Sequence, residues 1–106
     1  MGVVSPDNME PWSPLPGWSG RVFHSAAMTF AQWEIAADAA ELHEHRHEPE
    51  EVWNVIDGEL VIVLDGRELR LGAGEAAIVP PNAPHAAKPV GPCRALVVDH
   101  PARRRL

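Results

Sequence analysis

The 106-residue sequence predicts a single all-β domain, a sandwich or barrel, on three observations. Short β-branched or alternating segments recur at roughly ten-residue spacing. Asp-Gly pairs and Pro/Gly clusters punctuate them, and no stretch carries a convincing long helix. Composition agrees, since 45% hydrophobic and 23% charged residues describe a globular chain with one core.

Residues 1–20 hold four of the eleven prolines (Pro6, Pro11, Pro14, Pro16) and read as an extended arm. Its Trp12 and Trp18 are apolar rings that need a groove, on their own domain or on a partner subunit. The domain proper is expected over 21–100, with strand signals from about residue 22, and 101–106 form a basic tail whose Arg103, Arg104 and Arg105 read as a solvated end. Candidate strands are MTFAQWEI (28–35), AELHEHRH (40–47), EVWNVI (51–56), ELVIVL (59–64), RELRL (67–71), EAAIVP (75–80) and CRALVVD (93–99). Asp57-Gly58 and Asp65-Gly66 are each the dipeptide favoured in tight hairpin turns, so two hairpins sharing the strand 59–64 are expected. On 51–56, Glu51, Trp53 and Val55 share one face and Val52, Asn54 and Ile56 the other. Cys93 opens an apolar strand and reads as a buried small hydrophobe, and Trp33 reads as core.

Five of the six histidines lie beyond residue 40, three of them in AELHEHRHEPEE. On a strand, His45 and His47 project to one face and offer two imidazoles to a single ion, while Arg46 faces away. Glu51, after the break at Pro49, is placed to add an oxygen. A strand ending in Pro80-Pro81-Asn82 forms a rigid turn that aims His85, and Asn82 tolerates the left-handed conformation such a turn uses. The run His43-Glu44-His45-Arg46-His47 also spells H-E-x-x-H, a zinc-protease helix signature. Pro49 and the strand-like residues 51–71 oppose a helix there.

The run His45-x-His47-x3-Glu51-x6-Gly58 resembles the first motif of the cupin superfamily, and Gly74-x5-Pro80-x-Asn82-x2-His85 is similar to the second. The resemblance covers about residues 28–99. Ala39 and Pro89 depart from the pattern, at positions where the family often has Gly and Asn, and neither is a ligand position. The resemblance implies an antiparallel double-stranded β-helix, a jelly-roll barrel, with His45, His47, Glu51 and His85 holding one divalent transition metal. Manganese or iron is the expected ion, and nickel, copper, cobalt and zinc are also compatible with imidazole and carboxylate donors. In the family the glutamate matching Glu51 sometimes detaches and takes a proton, which makes Glu51 the candidate acid/base. His43, Trp53 and Asn82 are candidate pocket residues, with His43, Glu44 and Asn82 the candidate acids or bases near the open positions.

Function classes narrow accordingly. A formal charge of −6 disfavours nucleic acid, and no run approaches the ~18 apolar residues of a membrane helix. A single cysteine excludes an internal disulfide and suits the cytoplasm. The absence of tyrosine removes phenol chemistry and, with it, the tyrosine-dependent lyases of the resembling family. Two expectations remain: a metal-dependent dioxygenase, isomerase or lyase acting on an oxygen-rich small molecule, or a non-catalytic metal or ligand-binding sensor. A homodimer is expected, to cover apolar surface near the Trp-bearing arm.

Overall fold

Strand-forming segments pair antiparallel throughout the computed structural model, which describes residues 2–103. The strands are β1 (Trp18–His24), β2 (Thr29–Ile35), β3 (Leu42–His45), β4 (Glu50–Leu64), β5 (Arg67–Gly72), β6 (Ala76–Val79) and β7 (His85–His100), preceded by a 3-10 turn at Pro6–Asn8. β4 and β7 pair along their length, from Glu50↔His100 to Leu64↔His85. β6 and then β5 flank β4, while β2 and then β3 flank β7, with β1 outside β2. The long strands bend so that one hydrogen-bonded system encloses the core of a jelly-roll barrel. Val55, Leu60, Ile62, Val79 and Ala87 are fully buried there.

One expected hairpin forms and the other does not. Asp65-Gly66 joins β4 to β5 as a two-residue turn beside the pair Leu64↔Arg67, with φ of 49° and 80°. Both residues take the positive φ of a type I′ turn. Asp57-Gly58 instead lies inside β4, so 51–56 and 59–64 are one strand with a bulge. Pairing with β7 shifts between Val55 and Asp57 and again between Gly58 and Leu60. The bulge changes the inward parity: Glu51, Trp53 and Val55 are buried before it, and Leu60 and Ile62 after it. Gly58 has φ 82°, and a Cβ there would strike the Pro92 carbonyl oxygen. The dipeptide carried the right backbone preference. Whether the chain reversed or bent was decided by β7 lying alongside.

β7 starts at His85, well before the expected 93–99, because its prolines are accommodated where the ladder with β4 is irregular. β1 begins at Trp18, inside the stretch read as arm. The arm itself docks on its own barrel. Trp12 and Gly20 exchange backbone hydrogen bonds of 2.8 Å, and the Trp12 ring lies 5.8 Å from Trp33. Trp33 packs over Gly20, where any Cβ would meet its ring. Trp18 is edge-on to both Trp33 and Trp53, at 5.7 and 6.2 Å, so four indoles form one wall. Cys93 is buried as expected, and burial together with Asp57 pushes its thiol up.

The described tail is not a free end. Past β7, the Arg103 N–H donates to Thr29 Oγ1 at 2.7 Å, and that hydroxyl lies 3.2 Å from the Arg103 carbonyl. This corrects the solvated reading at Arg103, for which sequence offered no long-range partner. Arg104 and Arg105 lie outside the described residues.

Candidate metal centre

Three elements bring the expected side chains together. β3 pairs with the start of β7 so that His45 is directly opposite His85, with ring centroids 4.3 Å apart. His47 stands in the loop after β3, held by a 2.8 Å bond from the Asn82 N–H to the His47 carbonyl. Glu51 points inward from β4 and is 2% exposed. The turn at Pro80–Asn82 thus serves His85 and His47 together, with Asn82 at φ 62° as its type allows.

Each histidine Nδ1 faces a carbonyl at 2.9 Å: His43 for His45, Pro49 for His47, Ala83 for His85. A carbonyl only accepts, so these contacts place the proton on Nδ1 and leave the Nε2 lone pair facing the cluster. Ligand atoms of His45, His47 and His85 lie within 4.8 Å of one another, as do those of His47, Glu51 and Asp99. His47 Nε2 is 3.2 Å from one Glu51 oxygen and His85 Nε2 is 3.3 Å from the other. Both Nε2 atoms are buried without a hydrogen bond of adequate geometry. Desolvated lone pairs gathered around a carboxylate are costly unless a cation or protons join them. The donor set, imidazole nitrogen plus carboxylate oxygen, therefore fits one divalent transition ion.

Electrostatics follow from the crowding. In the metal-free protein, burial opposes ionisation of Glu51, but the adjoining imidazoles of His47 and His85, once protonated on the nitrogens that face it, and the Asp99 carboxyl outweigh it and hold the carboxyl well below its usual range. Trp53 Nε1 adds a 2.6 Å donation to Glu51. Asp99 is the counterpart: burial, then the contact with ionised Glu51, push it up to about 8. Burial lowers His45. Burial also works against protonated His85, yet Glu51 and the Ala83 carbonyl move it up on balance.

The cluster opens through His45 and Glu51 onto a cavity of about 250 Å³. Trp12, Trp18, Trp33, Trp53 and Leu42 form much of its wall, with Asp99 and Arg103 as polar members. Trp53 lines the cavity. His43 and Asn82 do not: both are exposed. The parity that put His43 with His45 fails because β3 bulges, with Leu42 opposite Ala87 but His45 opposite His85, so Leu42 takes the inward place. Glu44 is exposed as well, and a strand at Leu42–His45 rules out the H-E-x-x-H helix.

Two further members of the site, Asp99 and Arg103, have no site role that the sequence assigns. Asp99 is the cross-strand partner of Glu51. The inward alternation of Cys93, Ala95 and Val97 continues to 99, which was the available signal. Nothing in sequence pointed to Arg103.

A family model described as Cupin domain matches residues 31–99. A comparison with curated protein sequences returns no match. Among solved structures, the chain is similar to KdgF from Halomonas sp., with a TM-score of 0.89 at 20% identity over 98% of this chain and 96% of that one. It is similar to an RmlC-like cupin from Shewanella frigidimarina, with a TM-score of 0.85 at 22% identity over 95% and 91%. The polyketide cyclase RemF from Streptomyces resistomycificus gives 0.79 at 26% identity over 99% and 82%.

Proposed function

Because the chain belongs to the cupin family, we propose that it is a metal-dependent enzyme of the isomerase or lyase kind, acting on a small oxygen-bearing molecule with an apolar body. His45, His47, Glu51 and His85 hold the ion in this reading. The observation that carries it is the cluster of three imidazoles, each with its Nδ1 against a carbonyl, and a buried carboxylate, which opens onto a tryptophan-walled cavity. When bound, the ion polarises a carbonyl or hydroxyl oxygen of the ligand as a Lewis acid.

The chain's own residues supply the rest. The indoles of Trp12, Trp18, Trp33 and Trp53 exclude water and favour a flat, apolar body. Glu51 is oriented by Trp53. Asp99 presents a second carboxyl beside Glu51 at the cavity wall, where it can exchange a proton with a ligand atom. The likeness in fold to the polyketide cyclase RemF, at 26% identity, supports the reading of an enzyme that acts on a small oxygen-bearing molecule. Two copies are proposed to assemble as a dimer, and a cytoplasmic site suits the reduced, buried Cys93. Among the described residues no helix is long and apolar enough to cross a membrane.

The test begins with elemental analysis of protein purified without added metal. Loaded protein is then incubated in D₂O with 2-oxo acids and 1,3-diketones, following deuterium entry beside the carbonyl by NMR. Metal-dependent exchange, lost in Asp99→Asn with metal content unchanged, is the expected result. Oxygen uptake without exchange would move the assignment to a dioxygenase, and metal binding with neither would leave a binding barrel.

A further inference from the structure

With the proposed ion bound, the charge balance of the cavity is opposite to that of the chain. Nine acids lie between Glu34 and Glu59, but of these only Glu51 lines the cavity. The other acid on its wall is Asp99, and the cation is Arg103. With neutral imidazoles, a divalent ion, one ionised Glu51 and Arg103 leave net positive charge whether or not Asp99 is ionised. Walls made of indole and aliphatic side chains screen that charge poorly, so a neutral ligand would leave it uncompensated.

Arg103 is built into place rather than lying there loosely. Thr29, 1% exposed, accepts from the Arg103 N–H and contacts its carbonyl, which pins the backbone just past β7. The His24 ring nitrogen meets the same hydroxyl at 2.8 Å. The side chain, 24% exposed, then runs to the cavity, with Nη1 3.7 Å from Glu51 Oε2. That is long for a bonded pair, and Glu51 is already engaged by Trp53 and the two imidazoles. Among the described residues no other carboxylate pairs with this guanidinium.

We propose that Arg103, pinned by Thr29, is the anchor for a ligand carboxylate, so that the molecules this cavity takes are small carboxylic acids with a flat apolar body. The guanidinium fork matches a planar carboxylate, and the indole wall takes the body. The inference rests on the metal-centre reading, because the bound ion is what reverses the charge. Arg103 acts on recognition, and Thr29 is a positioning residue.

The test compares benzoate with benzamide, the same ring without the charge, binding to zinc-loaded protein by quenching of the cavity tryptophans. Zinc is used because it does not itself quench indole through redox or paramagnetism. Wild type should bind benzoate at least about tenfold more tightly than benzamide. Arg103→Ala should lose most of that ratio by weakening benzoate far more than benzamide, Arg103→Lys should recover part of it, and Thr29→Val should show a smaller loss. A merely structural Arg103 would shift the melting temperature and leave the ratio alone. Zinc measured on the same samples separates the failures. No bound zinc overturns the metal centre and the anchor with it. Full zinc with an unchanged ratio in Arg103→Ala, or with no saturable benzoate signal at millimolar concentration, overturns the anchor alone.

Discussion

The three histidines share one local device, an Nδ1 contact to a nearby carbonyl, two residues away in sequence in each case. It fixes which nitrogen carries the proton before any ion arrives, so the site needs little reorganisation on loading. His47→Ala removes a buried lone pair and its tie to Glu51, so it should lose most bound metal and lower the melting temperature of the loaded protein. Atomic absorption and calorimetry on one sample check both. Asp99 gives a second expectation, for the metal-free protein. Folded Asp99 keeps its proton up to about 8 whereas the unfolded group releases it near 3.8, so folding takes up a proton across that window. Stability should therefore fall as pH rises from about 4 to about 8, and Asp99→Asn should flatten the profile. Urea titrations at several pH values read the slope. At this scale the spacing of His45, His47, Glu51 and His85 was legible in sequence. Asp99 was legible only as part of an alternation, and Arg103 not at all, because its position depends on Thr29, far away along the chain.

Strand identity was legible wherever alternation was clean, and strand continuity was not. Asp57-Gly58 and Asp65-Gly66 look alike in sequence, yet one bends β4 and the other reverses the chain. Local propensity is the same at both sites, and what separates them is whether a neighbouring strand pairs across the dipeptide. Gly58→Ala should cost about 1–3 kcal/mol, from the positive φ and the approach of the Pro92 carbonyl, measured as a shift in urea midpoint. Gly66→Ala should cost about 1 kcal/mol, since nothing lies within 4 Å of a Cβ there and only the backbone preference is lost. The bulge in β3 is the second case of this kind. One extra residue between Leu42 and His45 exchanged His43 for Leu42 on the cavity wall.

At the scale of the molecule, an apolar stripe crosses the outer face of the sheet through Phe23, Phe30, Val98, Val52 and Ile78, each the cross-strand neighbour of the next. Phe23 and Phe30 stack at 5.0 Å, and Ile78 is 61% exposed. This stripe, rather than the Trp-bearing arm, which closes on its own barrel, is the surface on which the proposed dimer would form. Light scattering should give twice the 11.6 kDa chain mass at micromolar concentration, and Ile78→Glu should halve it. What the sequence by itself determined was the class of fold and which residues, His45, His47, Glu51 and His85, gather in a cluster that could hold a metal ion. Alternation, Asp-Gly turns and ligand spacing are short-range properties, written within a few residues. What tertiary structure decided was the company those ligands keep: the four-indole wall, the carboxyl of Asp99 against Glu51, and the guanidinium of Arg103 above both. Each comes from chain segments that meet only when β7 runs back along β4 and the two ends close over the barrel, and pairing at that range leaves no local pattern to read.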